Sequence, residues 1–444
     1  MKPCDTPANR PDTAPRPSKT TVRSYQVGFG DCFLLSVHYD DNPDIGTRHI
    51  LIDCGSTAMP KYKPVRSLRD VADNIRSVTG GKLHGVVATH RHKDHIGGFA
   101  GAAGDIIMAL QPEVVVQPWT EDPTAQVDAR APVPASRKGL HAATLMNMQK
   151  VADCALQEVR SRKGAIASGV RDQIEFIGDD NLSNKDAVEN LAAMANGNNH
   201  YVHYGMTSGL EEVLPGVTIH VLGPPSLEQS DQILSQRSRD ADEFWHFQAA
   251  AGRSAASQKR LFPKADICST RQKGRLPIET RWFLPRLDRI RGEQLLQIVR
   301  SLDHAMNNTS LILLFEVGRR KFLFAGDAQI ENWEYCLKTA SDRQSVLRLL
   351  EDVDFYKVGH HGSLNATPKT LWNLFRKRNK TDSPERMSTV VSTMGGKHGS
   401  DSRGTEVPRR KLTDALKEET DYLTTQTLRG KDAFFHQQEF DAWV

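Results

Sequence analysis

No stretch of this chain approaches the roughly 20 continuous apolar residues of a membrane-spanning helix, although 38% of its 444 residues are hydrophobic. The expectation is a soluble protein with a sizeable core and no membrane partner. Cysteine is also scarce. The six present (Cys4, Cys32, Cys54, Cys154, Cys268 and Cys336) form no C-x-x-C pair, which argues against a cysteine zinc knuckle. Residues 1–20 lack the apolar core of a secretory signal, so reduced, mostly buried thiols in a cytoplasmic protein are expected. The proline, threonine and polar residues of that segment read as a disordered tail. A strong net charge is missing too. The balance is +4 from 58 Lys and Arg against 54 Asp and Glu, too small to name a partner. No internal repeat is visible.

What is present is an alternation of strands and helices. Ordered structure is expected from Thr21, as one α/β domain over 21–444 with an insertion at about 225–300. Val22–Val27 alternates like a half-buried strand. Cys32–Val37 and His49–Asp53 follow as strands, then a helix over Ser67–Val78. Gly85–Thr89 is a short apolar strand of the kind buried on both faces. A helix over Phe99–Leu110, a strand at Val114–Val116, and helices at 140–162 and 186–195 come next. Strands at 200–204 and Val217–Leu222 precede the insertion, where the rhythm breaks. Beyond it the pattern predicts strands Ser310–Val317 and Lys321–Ala325, a helix at 330–351 and a strand Val353–Val358. Met387–Ser392 reads as the last core strand, followed by a helix and tail. Strands in two blocks with helices between them give an α/β plan with mixed sheets.

The chemistry concentrates in Thr89-His90-Arg91-His92-Lys93-Asp94-His95-Ile96-Gly97-Gly98. Three histidines and an aspartate fall within six residues, directly after a buried strand. Alternate residues of an extended segment point the same way, so His90 and His92 can reach one metal together. Asp94 and His95 stand where a helix starts and can turn toward an adjacent second metal. The glycines let the backbone pass closely under the site. Imidazole and carboxylate donors suit Zn²⁺, Mn²⁺ or Fe²⁺. Two further segments supply donors at strand ends: Phe324-Ala325-Gly326-Asp327, and Tyr356-Lys357-Val358-Gly359-His360-His361-Gly362-Ser363. Together the three carry enough ligands for two ions, with Asp327 suited to bridge them. Such a centre clamps a substrate oxygen and activates water near neutral pH.

This ordered set resembles the metallo-β-lactamase superfamily, whose signature is H-x-H-x-D-H. Val27-Gly28-Phe29-Gly30-Asp31-Cys32, Leu51-Ile52-Asp53-Cys54-Gly55, Asn307-Asn308-Thr309-Ser310-Leu311 and the Asp327 and His360-His361 segments follow the order of the soluble hydrolase domain of ComEC-like competence proteins. The resemblance covers roughly 21–120 and 300–400. It implies an αββα four-layer sandwich with two divalent ions, Zn²⁺ or Mn²⁺, at one edge. By position His90 and His92 hold one ion, Asp94 and His95 the other, Asp327 bridges, and His360 or His361 completes the set. Asp53 orients a ligand histidine from behind, and Asn308 and Ser310 lie in the supporting layer. The chain departs from the superfamily where many members carry a histidine before the Ser310 strand. His304 is a candidate replacement ligand there, as are Asn308 and water. ComEC-like proteins also carry membrane spans, which this chain lacks, so the likeness is to their hydrolase part alone.

The resemblance implies a phosphodiesterase, a nuclease acting on DNA or RNA through attack of metal-bound hydroxide on phosphorus. The insertion adds to this. Between Arg253 and Arg300 it carries twelve basic residues against four acidic ones, with Trp282 and Phe283 interleaved. Cations track phosphates and aromatics stack on unpaired bases, so Arg271, Lys273 and Arg275 are candidate nucleic-acid contacts. Asp94, the spare histidine of the His360/His361 pair (His361 stands among both the ligand and the catalytic candidates) and His398 are the candidate catalytic groups, the histidines contacting phosphate or protonating the leaving group. The alternative is a small-molecule hydrolase of a lactone, β-lactam, thioester or phosphocholine ester. The reading leaves room for a protein partner in a larger system.

Overall fold

A computed structural model of the chain describes residues 15–60, 64–122, 184–230, 232–234, 306–379, 385–399, 404–429 and 434–444. The helix expected at 140–162, the basic stretch Arg253–Arg300 and His304 lie outside the described residues.

The first half of the described chain runs β1 (Lys19–Tyr25), β2 (Cys32–Tyr39), β3 (Gly46–Cys54), α1 (Leu68–Val78), β4 (Gly85–Val87), α2 (Lys93–Ile96), α3 (Gly101–Ala109), β5 (Val114–Pro118), α4 (Lys185–Met194) and β6 (Asn199–Val202). The second half runs β7 (Thr218–Gly223), β8 (Ile312–Val317), β9 (Arg320–Phe324), α5 (Ile330–Glu334), α6 (Arg343–Glu351), β10 (Phe355–Lys357), α7 (Lys369–Leu374), β11 (Ser388–Val391), α8 (Arg410–Glu419), β12 (Asp421–Thr424) and β13 (Phe435–Asp441). Two mixed sheets result. One has the order β13-β1-β2-β3-β4-β5-β6 and the other β12-β11-β10-β9-β8-β7. Hairpin neighbours are antiparallel, whereas β3 through β6 and β9 through β12 run parallel.

The period of two along each strand decides what packs where. In β2, Phe33, Leu35 and Val37 join a core shared with Leu313 and Phe315 of β8 and Phe322 and Phe324 of β9, so the sheets pack face to face. The alternate residues Cys32 and Leu34 turn outward to α1, α3 and α4, against Ile75, Ile107 and Leu191. On the second sheet, Ile312, Leu314, Leu323 and Tyr356 face outward to Trp333, Leu350, Trp372 and Leu416 of the helices there. Helices therefore cover the outer face of each sheet. Among the described residues, no helix is long and apolar enough to cross a membrane. Cys32, Cys54 and Cys336 are buried free thiols.

Three expectations need correction. Met387–Ser392 is not the last core strand: β12 extends the second sheet beside β11, and β13 returns to pair with β1 at the edge of the first. The single helix at 330–351 is broken into α5, a π-turn over Tyr335–Thr339 and α6. Ala340 leaves the helical region at φ −57°, ψ 143°, and Asp342 just beyond accepts the Tyr204 hydroxyl. Finally, β1 begins at Lys19, so Lys19 and Thr20 belong to the sheet and not to the tail.

Thr89 and Asp53 mark one end of the first sheet; His49 and His84 mark the other. The His49 amide donates to His84 Nδ1 (3.0 Å) and His49 Nδ1 lies 2.8 Å from Ser36 Oγ. Burial, aided by His84 and Arg23, lowers the His49 pKa from 6.5 to about 3. The unfolded chain therefore binds a proton that the fold refuses. The resulting stability loss begins below the unfolded value of 6.5, reaches about 2 kcal/mol at pH 5 and levels off near the folded value of about 3. His49→Gln, which can keep the Ser36 contact, is expected to lose about 2 kcal/mol less than wild type between pH 7 and pH 5 in urea titrations. Equal losses in the two proteins would refute this assignment.

Candidate metal centre

The site gathers where the parallel strands of both sheets end. Asp53 closes β3 and Thr89-His90 follow β4, while Asp327 follows β9 and His360-His361 follow β10. The Leu311 amide donates to the Thr89 carbonyl (2.9 Å), tying one sheet to the other beneath the cluster. Gly326, at φ +48°, has Thr89 Cβ only 2.7 Å from where a Cβ would stand. A side chain there would push Asp327 off the cluster. Gly98 packs equally tightly, with Cys54 O and Sγ 2.6 Å from a Cβ position.

The structure brings together Asp94, His95, Asp327 and His361, whose donor atoms all lie within 4.8 Å of one another and are all buried. His95 Nε2 stands 3.0 Å from Asp327 Oδ1, and His361 Nε2 stands 3.1 Å from Asp94 Oδ2 and 3.7 Å from Asp327 Oδ2. His90 and His92 lie alongside. The His90 ring centroid is 4.6 Å from His92 and 4.2 Å from His95. Of the paired histidines, His361 therefore belongs to the buried set. The partly exposed His360 reaches only to 3.8 Å of Asp327 Oδ2, with the Gln329 amide 3.5 Å from its Nδ1. His398 connects through Phe29, whose ring centroid is 4.3 Å from His398 and 4.4 Å from His361. Arg271, Lys273, Arg275 and His304 are outside the described residues.

A layer of partners aims these donors. Asp53 accepts from the Thr89 amide and hydroxyl (2.8 and 2.7 Å) and lies 2.7 Å from His95 Nδ1. That contact leaves Nε2 facing Asp327. His361 Nδ1 donates to the Ser392 carbonyl (2.8 Å), which likewise turns its Nε2 inward. Ser310 Oγ accepts from the Asp327 amide (3.2 Å), and Asn308 is fully buried nearby in sequence. Both paired histidines have positive φ, 42° at His360 and 52° at His361. Such backbone costs on the order of 1–3 kcal/mol per residue and persists where the surroundings over-determine it.

Two supporting devices lay outside the sequence reading. Arg91, between the two histidines, makes a bidentate ion pair with Glu121 (2.7–3.1 Å), and both are buried. Together with Asn184, which donates to the Arg91 carbonyl (2.8 Å), this pins the histidine loop to the end of β5. Removing one partner of such a pair costs about 3–5 kcal/mol. Asp31 and Lys357 form the second device, a buried ion pair behind the cluster. A lysine inside the otherwise apolar Phe355-Tyr356-Lys357-Val358 was the available signal, since lysine is almost never fully buried unless paired.

Electrostatics follow from this crowding. Burial alone would push the His95 imidazole down, but Asp327, Asp53 and Asp31 hold its pKa well above the ordinary value. His361 is raised in the same way by Asp327, Asp31 and Asp94. Asp327 is held well below the usual carboxylate range by His95, His361 and His360, against its burial. His90 is pushed down by burial and by the neighbouring His95 and His92, which keeps it in the neutral form that binds metals.

The donors fit a divalent cation. His90 Nε2 and Asp94 Oδ1 are buried with no hydrogen-bond partner, a costly state unless something else engages them. The donor set is imidazole and carboxylate, with outer partners that fix the rings of His95 and His361. Comparison with protein-family models returned no match for this chain, and comparison with curated proteins returned none either.

Proposed function

We propose that the chain is a metal-dependent phosphodiesterase of the metallo-β-lactamase fold, acting on DNA or RNA. The observation that carries this reading is the buried set Asp94, His95, Asp327 and His361, with His90 and His92 beside it, at the shared end of two facing sheets. The face-to-face sheets with helices outside are compatible with that fold, and the H-x-H-x-D-H run supports it. Nucleic acid is favoured as substrate by the concentration of basic residues between Arg253 and Arg300, among them Arg271, Lys273 and Arg275.

His90 and His92 would hold one ion and Asp94, His95 and His361 the other, with Asp327 between them. Bound divalent ions lower the pKa of water and offset charge developing on phosphoryl oxygens. The protein's own part is orientation. Asp53 and the Ser392 carbonyl keep the Nε2 atoms of His95 and His361 turned inward. His360 is the imidazole beside Asp327 that retains solvent access, so it is placed to contact a phosphate oxygen or to protonate the leaving group.

The test is incubation of purified protein with single- and double-stranded DNA and RNA in Mn²⁺, Zn²⁺ or Mg²⁺, beside an Asp94→Ala/His95→Ala control. Cleavage that requires metal and disappears in the control is expected. Cleavage that survives in the control would sink the proposal. Hydrolysis of a lactone, β-lactam, thioester or phosphocholine ester without nucleic-acid cleavage would transfer the same centre to a small-molecule substrate.

A further inference from the structure

Lys357 is 2% exposed, at the end of a strand whose other residues, Phe355 and Tyr356, are aromatic and buried. Its ammonium has three protons and three oxygens around it. It forms an ion pair with Asp31 Oδ2, donates to the Gly326 carbonyl at 2.9 Å, and lies 3.8 Å from Asp327 Oδ1. A lysine serving only to fill space would not sit against two carboxylates and the carbonyl that precedes one of them. Asp31 in turn faces two imidazoles of the buried set: its Oδ2 is 3.6 Å from His95 Nδ1 and its Oδ1 is 3.6 Å from His361 Nδ1. Asp31 is fixed by backbone bonds as well, its amide donating to the Asp94 carbonyl (2.8 Å) and its carbonyl accepting from Gly55 (2.9 Å). One buried ammonium therefore touches Asp327 directly and reaches His95 and His361 through a single intermediate side chain.

We propose that Lys357 is a positioning residue of the metal centre: with Asp31 it sets the carboxylate of Asp327 and the charge facing His95 and His361, whose rings Asp53 and the Ser392 carbonyl orient. This rests on reading the cluster as a metal site. Two consequences follow from the geometry. Lys357 supplies positive charge at the back of the cluster, where Asp31 would otherwise stand buried and uncompensated. It also aims Asp327, because Gly326 and Asp327 are consecutive and the ammonium donates to the carbonyl of the first while attracting the carboxylate of the second from 3.8 Å.

The experiment titrates full-length, metal-free protein with Mn²⁺ or Zn²⁺ by calorimetry and measures thermal unfolding in parallel. It compares wild type, Asp31→Asn, Lys357→Met and the Asp31→Asn/Lys357→Met double variant. Each single variant is expected to bind metal about 10–100-fold more weakly, the usual cost of losing an outer partner of a ligand. Lys357→Met is also expected to unfold earlier, because Asp31 is left without its cation. The double variant removes both charges and is expected to regain most of the thermal stability while its metal affinity stays at least about tenfold down. Recovery of stability and affinity together in the double variant would reduce the pair to a packing element and overturn the positioning role. Unchanged affinity in Asp31→Asn would overturn it as well. Failure of the wild-type protein to take up either metal is a different result, which removes the metal reading itself before any variant is compared.

Discussion

Asp327→Asn is expected to lose the metal centre while keeping the fold. The substitution exchanges one carboxylate oxygen for an amide nitrogen at nearly constant volume, at a position 1% exposed. The wild-type carboxylate faces His95 Nε2 at 3.0 Å, His361 Nε2 at 3.7 Å, His360 Nε2 at 3.8 Å and Lys357 Nζ at 3.8 Å. No other acidic group in the cluster faces so many cations or cation ligands at once. An amide carries no charge to share between two ions, and its NH₂ group would point donors at nitrogens that must themselves stay free. Metal content measured on the purified variant should fall by at least one ion per chain. Metal-dependent cleavage should fall by on the order of 10³-fold or more, since each ion contributes several kcal/mol to the transition state. Asp53→Asn gives the contrast. Asp53 touches His95 from behind at 2.7 Å, so its loss should cost only about 10–100-fold. Equal losses in the two variants, or full metal content in Asp327→Asn, would remove Asp327 from the bridging position.

The order of these effects reflects how unevenly the site is written in the chain. The run His90–His95 was legible because its ligands sit within six residues after an apolar strand, where spacing alone restricts where they can point. Asp327 and the paired histidines were legible only as candidates, since carboxylates and imidazoles at strand ends have ordinary uses. Which histidine of the pair joins the cluster depends on a contact between Asp94 and His361, residues 267 positions apart, and no local pattern records it. The Asp31–Lys357 pair was hidden for a similar reason. Asp31 stands in a glycine turn that reads as a loop, and its partner lies on the other sheet. In the fold, the alternation of β2, β3, β8 and β9 could be read because each face meets its own apolar core. β13 escaped because it is a half-exposed edge strand. Of its residues Phe435–Asp441, only Phe435 and Phe440 pack against the cores. The break in the 330–351 helix escaped because it coincides with Asp342 meeting Tyr204, 138 positions away, which helical periodicity does not register.

Chelation should change the stability of this protein more than any surface substitution. Four carboxylates, Asp31, Asp53, Asp94 and Asp327, are buried around one centre, all at most 8% exposed. Set against them are Lys357 and the imidazoles His95 and His361, whose pKa values the carboxylates hold up against burial. His90 Nε2 and Asp94 Oδ1 are buried without hydrogen-bond partners. Binding of the two ions proposed above, each at a thousandfold its dissociation constant, would add about 8 kcal/mol to the folded state. For a chain of 444 residues that corresponds to roughly 9 °C in the melting temperature. Scanning calorimetry of protein treated with a chelator and dialysed is therefore expected to show unfolding lower by that amount, restored by Mn²⁺ or Zn²⁺. The Asp94→Ala/His95→Ala variant should respond to added metal by much less, because two donors of the set are gone. A wild-type melting temperature that chelation leaves unmoved, in protein shown by elemental analysis to have held metal beforehand, would mean that the ions sit elsewhere and that the buried cluster is an ion-pair network of the fold.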